Sequence, residues 1–233
     1  MNQLIQRMLF AFVATCGLIE QNVWAQSPLP KGMEHTYAEI KEQFDAWQIP
    51  PGDHPEEVLL EEIRLKYDDR GSSTQSIRRV WRLKSKQVSD YGIIAREYAP
   101  WYENQPTITA RVFDATGREF LLSKDDITLS PAGSREQGVL TDRMVMQAAL
   151  PGLKVGAIVE EIIEVTERDP FCEQGTAERF SIDSLYPSLF FSIEIDAPES
   201  LPIDVLFRPR QPAELQQELR VRFHLRARIP SDC

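Results

Sequence analysis

The stretch LTDRMVMQAALPGLKVGAIVEEI, residues 140–162, decides how the chain is read. It holds two apolar runs separated by Pro151, Gly152 and Gly156. Glycines placed this way either cradle a phosphate or turn the chain. Met144, Met146, Ala148 and Leu150 alternate before the break, and Val159, Ile163 and Val165 continue after it with Glu160 and Glu164 on the other side. A period of two is that of a strand, whose successive side chains point to opposite faces. No G-K-[ST] follows the glycines and no helical pattern comes after them, so the stretch is not a phosphate-binding loop. Proline fixes φ and glycine tolerates positive φ, which suits Pro151-Gly152 to a tight turn. Gly156 starts the returning strand or sits in a bulge. The expectation is a hairpin.

The same period recurs on both sides of this stretch. In EEIRLKYDD, Ile63, Leu65 and Tyr67 alternate with Glu62, Arg64 and Lys66. DDRG turns the chain, and QSIRRVWRLK returns with Ile77, Trp81 and Leu83 on one face and Arg79 as an exception. TITARV and EFLL, joined by DATG, form a second expected pair, and residues 140–165 the third. PSLFFSIEIDAP places Leu189, Phe191, Ile193 and Ile195 opposite Ser192, Glu194 and Asp196; LPIDVLFRP repeats the pattern with Ile203, Val205 and Phe207. Many short alternating strands with turns between them predict an all-β fold, an antiparallel β-sandwich.

One segment has the helical period. Met33, Tyr37, Ile40, Phe44 and Trp47 fall at steps of four, three, four and three, an apolar stripe on an N-terminal amphipathic helix of about four turns. Its opposite face carries Glu34, Glu39, Lys41 and Glu42. The stripe fits a helix packed on its own domain; the alternative is a docking helix for a partner. IPPGDHP, residues 49–55, ends the helix as a linker.

The N-terminus has the layout of a secretory signal peptide. Arg7 supplies the positive charge, MLFAFVATCGLI is an apolar run too short to span a bilayer, and Val23 and Ala25 are the small residues before the expected cut. Lipidation at Cys16 ranks below simple cleavage, because the preceding threonine fits a lipoprotein box poorly. The chain is therefore expected to be exported, periplasmic or extracellular, with no transmembrane segment after cleavage. Removing residues 1–25 leaves 25 Lys and Arg against 35 Asp and Glu, a net charge of −10. Such a surface repels phosphate backbones, so nucleic acid is not an expected partner.

Candidate chemistry is sparse. The mature chain keeps Cys172 and Cys233, which an exported protein could pair in a disulfide. His35, His54 and His224 are far apart and no C-x-x-C occurs, so no metal site and no cofactor is expected. Cys172, His224 and Asp232 follow the order of a thiol triad. But Cys172 lies in a polar loop with no helical pattern after it, whereas a nucleophilic thiol usually needs a depressed pKa, often from a helix N-terminus. No catalytic residue is assigned. In LRVRFHLRARI, Arg220, Arg222, Arg226 and Arg228 share one strand face with His224 and could bind an anionic ligand or glycan; the alternative is a solvated face pairing with acids across the sheet. The aromatics of YAPWYENQP, Tyr98, Trp101 and Tyr102, either form a carbohydrate platform or cover one end of the core. The neighbouring acids Glu160/Glu161 and Asp125/Asp126 point to opposite faces and are read as solvated surface, with no carboxylate dyad.

Four pieces in order resemble a known bacterial family: EEIRLKYDDRGSSTQSIRRVWRL, YAPWYENQPTITARVFDATGREFLL, LTDRMVMQAALPGLKVGAIVEEIIEV and YPSLFFSIEIDAP. The chain resembles the domain of unknown function found at the N-terminus of exported transglutaminase-like proteins. The third piece is the most specific, with D-R, then L-P-x-L-x-x-G, then a strand carrying V-E. The resemblance implies a non-catalytic β-domain ahead of a separate catalytic domain that would carry its own Cys-His-Asp triad. The implied partners are that transglutaminase-like or peptidase domain, or a cell-envelope protein. The expected organisation is a signal peptide at 1–25, helix and linker at 26–55, the β-sandwich at 56–210, and an arginine-rich strand and tail at 211–233.

Overall fold

The computed structural model describes residues 33–49, 51–133, 141–170, 180, 186–198, 200–201 and the backbone of Arg220–Leu225. The chain divides into two units, Met1–His35 and Thr36–Cys233, and the architecture is that of the second. The expected signal peptide and the strand expected at 201–209 lie outside the described residues, apart from Leu201.

Helix α1 (Tyr37–Ala46) is shorter than the stripe suggested, because Thr36 caps it in a reciprocal capping box with Glu39. Its buried residues are Ile40 and Phe44, the centre of the apolar stripe. Phe44 lies under the Arg82 guanidinium, and Tyr37 packs on Phe113 and donates a 3.1 Å hydrogen bond to the Ala115 carbonyl. The helix docks on its own domain, as its stripe predicted.

Among the described residues the strands are β1 (Glu56–Tyr67), β2 (Ser73–Leu83), β3 (Ile93–Tyr98), β4 (Thr107–Phe113), β5 (Glu119–Leu121), β6 (Ile127–Pro131), β7 (Met144–Ala149), β8 (Ile158–Thr166), β9 (Ser188–Asp196) and β10 (Arg220–Leu225). They form a seven-stranded sheet, in the order β10-β9-β1-β2-β8-β4-β5, and a three-stranded sheet, β3-β7-β6. The fold is all-β with antiparallel pairing dominant, as expected. The β1–β2 and β4–β5 hairpins form as read.

Three findings depart from the sequence reading. First, residues 140–165 are not a hairpin: β7 pairs with β3 and β6, whereas β8 pairs with β2 and β4. The Pro151–Gly156 turn carries the chain from one sheet to the other. Gly152 has φ +67° and Gly156 φ +83°, the left-handed region. A Cβ on Gly152 would lie 2.9 Å from the Phe120 ring. Gly152→Ala is therefore expected to lower the unfolding free energy by about 1–2 kcal/mol from the backbone alone, read by urea denaturation. Second, β9 runs parallel to both β1 and β10, so the large sheet is mixed. Third, β1 begins at Glu56, six residues before its alternation is visible. A register shift between Val58 and Leu60 disrupts the pattern, and Val58, Leu59 and Leu60 are all fully buried.

The main core lies between the sheets. Trp81, Ala110, Val112 and Val159 of the large sheet meet Ile94, Met146 and Ala148 of the small one. A second apolar cluster, Ile63, Leu65, Phe191 and Ile193, continues over β1 and β9. Register places both clusters on the same face of the large sheet. Helix α1 covers part of the opposite face, where Arg82 and Phe113 lie.

Candidate functional site

Glu160 and Glu161, read from sequence as solvated surface, are buried: Glu160 is 0% exposed and Glu161 9%. They do point to opposite faces, and the register supplies each with arginine. Glu160 sits opposite Val80 and Arg111; Glu161 sits opposite Arg79 and Ala110. The sheet therefore carries buried ion pairs on both faces.

On the helix side, each Glu160 oxygen takes two N–H donors from a single guanidinium. Arg78 Nε and Nη2 donate to Oε1 at 3.1 and 2.7 Å; Arg111 Nε and Nη2 donate to Oε2 at 2.9 and 2.6 Å. The carboxylate's acceptor sites are filled, so it has no lone pair left for proton transfer. The row continues outward. Arg78 Nη1 reaches Glu62 at 3.3 Å, Arg64 lies 3.4 Å from Glu62 and 3.5 Å from Glu194, and Arg111 Nη1 reaches Glu119 at 3.2 Å. Charges of alternating sign thus cross six strands, from β9 through β1, β2, β8 and β4 to β5. Each charge has its opposite on the next strand, the arrangement that stabilises cross-strand neighbours.

On the sandwich side, Arg79 faces three carboxylates. It donates to Glu56 through a short contact, lies 4.0 Å from Glu61, and is opposite Glu161 in register. The Arg79 guanidinium also lies 5.7 Å from the Trp81 ring centroid. One cation does not neutralise three carboxylates, and burial raises the cost of the excess charge. Burial pushes the Glu161 carboxyl up to about 7, with Arg79 and the nearby Trp81 N–H opposing the rise and Glu56 and Glu61 adding to it. The Trp81 Nε1 makes no hydrogen bond of normal geometry. Glu61 is raised as well, mainly by burial, with Arg79 opposing. A carboxyl half-protonated near neutrality is a proton-exchanging group, and such groups occur both at active sites and in structural ion clusters.

Sequence reasoning missed both clusters because a glutamate on the polar side of an alternating strand looks solvated. The one available signal was Arg79, which broke the apolar face of β2. Of the residues singled out from sequence, Arg220 and Arg222 lie on β10, at the end of the strand order, paired in register with Phe190 and Ser192; His224 is opposite Glu194. Cys172, Cys233, Asp232, Arg226 and Arg228 lie outside the described residues, so the disulfide and the triad rest on sequence alone. Asp125 and Asp126 are exposed, as read, in the short 3-10 turn Lys124–Asp126. Among the described residues, no group of His, Cys, Asp and Glu is arranged to hold a metal ion, and no helix is long and apolar enough to cross a membrane.

Fold and clusters together define a β-rich domain whose large sheet is laced by internal ion pairs. The chain belongs to the family DUF3857, a domain of unknown function, whose match spans residues 69–227. No curated protein matches the chain. Among solved structures, a Parabacteroides distasonis protein described as a "putative protease" is similar at 12% identity and TM-score 0.45, over 50% of this chain and 24% of that one. A CBM3a-L domain from the scaffoldin cipA of Clostridium thermocellum is similar at 11% identity and TM-score 0.27, over 51% of this chain and 71% of that one. Legionella pneumophila aminopeptidase A is similar at 9% identity and TM-score 0.25, over 52% and 11% respectively. The chain thus spans about a quarter of the first of these proteins.

Proposed function

We propose that this is an exported, non-catalytic β-sandwich module that positions a partner for a transglutaminase-like thiol enzyme, on the same chain or another. The observation that supports it is the saturation of Glu160 by Arg78 and Arg111: the most deeply buried carboxylate is committed to two buried arginines and holds three strands together. The resemblance of its motifs to exported transglutaminase-associated domains supports that enzyme class.

The test is crosslinking in intact cell envelopes with a photoreactive residue at exposed positions of the domain, the captured species being sequenced. Capture of a thiol peptidase or transglutaminase-like protein, or its presence on the same polypeptide, is the expected result. A second measurement addresses catalysis directly: labelling with an electrophilic thiol probe. Labelling and peptide hydrolysis that both vanish in Cys172→Ala would overturn the reading in favour of a thiol enzyme.

A further inference from the structure

We infer that the loop of residues 99–105 is a preformed contact site for a neutral glycan chain, with Trp101 as the stacking platform. The inference is independent of the accessory-module reading. Its first support is the contrast among the indoles. Trp81 is buried in the core at 3% exposed and Trp47 is half-buried, whereas Trp101 presents 54% of its surface to solvent. Single exposed apolar residues are ordinary, so the weight falls on how this one is held and on what surrounds it.

The loop is built to hold still. The Tyr102 and Glu103 amides both donate to the Ala99 carbonyl, at 3.1 and 2.8 Å, and the Glu103 carboxylate accepts from the Ala99 amide. The Asn104 amide donates to the Thr166 carbonyl at 2.8 Å, and the Arg168 amide to the Tyr102 carbonyl at 2.7 Å. The Arg168 guanidinium donates to the Pro100 carbonyl, and Glu103 bridges to Glu167. Residues on both sides of Trp101 are thus anchored to each other and to the end of β8. A ligand arriving there does not have to order the loop, and that saving is what preorganised sites exploit.

The surroundings select the ligand. The Tyr102 ring lies 4.4 Å from that of Trp101 at 58°, giving an angled aromatic pair. The next residues but one, Asn104 and Gln105, are exposed amides. An indole face takes the C–H face of a pyranose, and uncharged amides, each both donor and acceptor, take its hydroxyls. With a net charge of −10, the protein disfavours a polyanion, so the fitting glycan is neutral.

The experiment titrates the full chain with cellohexaose, chitohexaose and xylohexaose, and with polygalacturonate as the anionic comparison, reading tryptophan fluorescence and calorimetry. A neutral oligosaccharide is expected to bind. Trp101→Ala should weaken that binding about tenfold or more, Trp101→Tyr should keep part of it, and Trp47→Phe should leave it unchanged. Unfolding midpoints of the variants confirm that each is folded. Absence of binding by all three neutral oligosaccharides, preference for polygalacturonate, or a folded Trp101→Ala with wild-type affinity would each overturn the inference.

Discussion

Glu160→Ala is expected to cost about 3–5 kcal/mol of stability, measured by urea denaturation, the usual penalty for stranding buried charges by removing their partner. The substitution leaves the Arg78 and Arg111 guanidiniums, both buried, without the carboxylate that accepts four of their N–H donors. Against the roughly 5–15 kcal/mol that holds a typical domain folded, such a loss brings the chain close to unfolding. A companion variant separates the triad's net worth from the damage of breaking it. Replacing Arg78, Glu160 and Arg111 together by Met, Leu and Met removes all three charges at similar volume, and such swaps are often neutral or stabilising by about 1–4 kcal/mol. The triple variant is therefore expected to be more stable than Glu160→Ala alone. A Glu160→Ala protein within about 1 kcal/mol of wild type would show that the cluster is wet and weak.

The second large effect is a pH dependence centred on Glu161. Its folded pKa, about 7, lies above its ordinary value of 4.5, so the folded chain holds a proton that the unfolded chain releases. The stabilisation from that proton is fully present below about pH 4.5. It is lost as pH rises toward and through about 7, after which the curve is flat. At 1.36 kcal/mol per unit, the loss is on the order of 3 kcal/mol. Unfolding free energies at intervals between pH 4 and 9 read it. Glu161→Gln, neutral at every pH, is expected to flatten that part of the profile. A wild-type profile rising across the same interval would refute the assignment. Arg79→Met should exaggerate the slope, because Glu56, Glu61 and Glu161 would then face one another with no cation between them.

The strands that sequence reading found were those with clean alternation. β9 and the β1–β2 and β4–β5 pairs have one polar and one apolar side, and their turns carry Asp and Gly. The strands it missed, β3 and β6, form the two outer members of the small sheet. In β3 the outward positions hold Ile93 and Ala95 while Arg96 points inward and donates to Gln75, so composition hides the pattern. The first half of β1 was hidden for the opposite reason: its residues are buried on both faces.

By itself, the sequence determined what depends on neighbours along the chain. The period of two marked the strands with clean alternation and which of their residues share a side; the stripe from Met33 to Trp47 identified a helix; Pro151, Gly152 and Gly156 announced a turn. Tertiary structure alone decided what lies beyond that turn. A turn constrains a few residues and is indifferent to whether the returning strand pairs with the one it left. The pairing is settled by the partners that β7 and β8 find in β3, β6, β2 and β4. The same holds for Glu160 and Glu161. Alternation set them on opposite faces, but only the strands packed alongside brought arginines opposite and closed water out. Burial and charge pairing belong to distant residues that meet only in the fold.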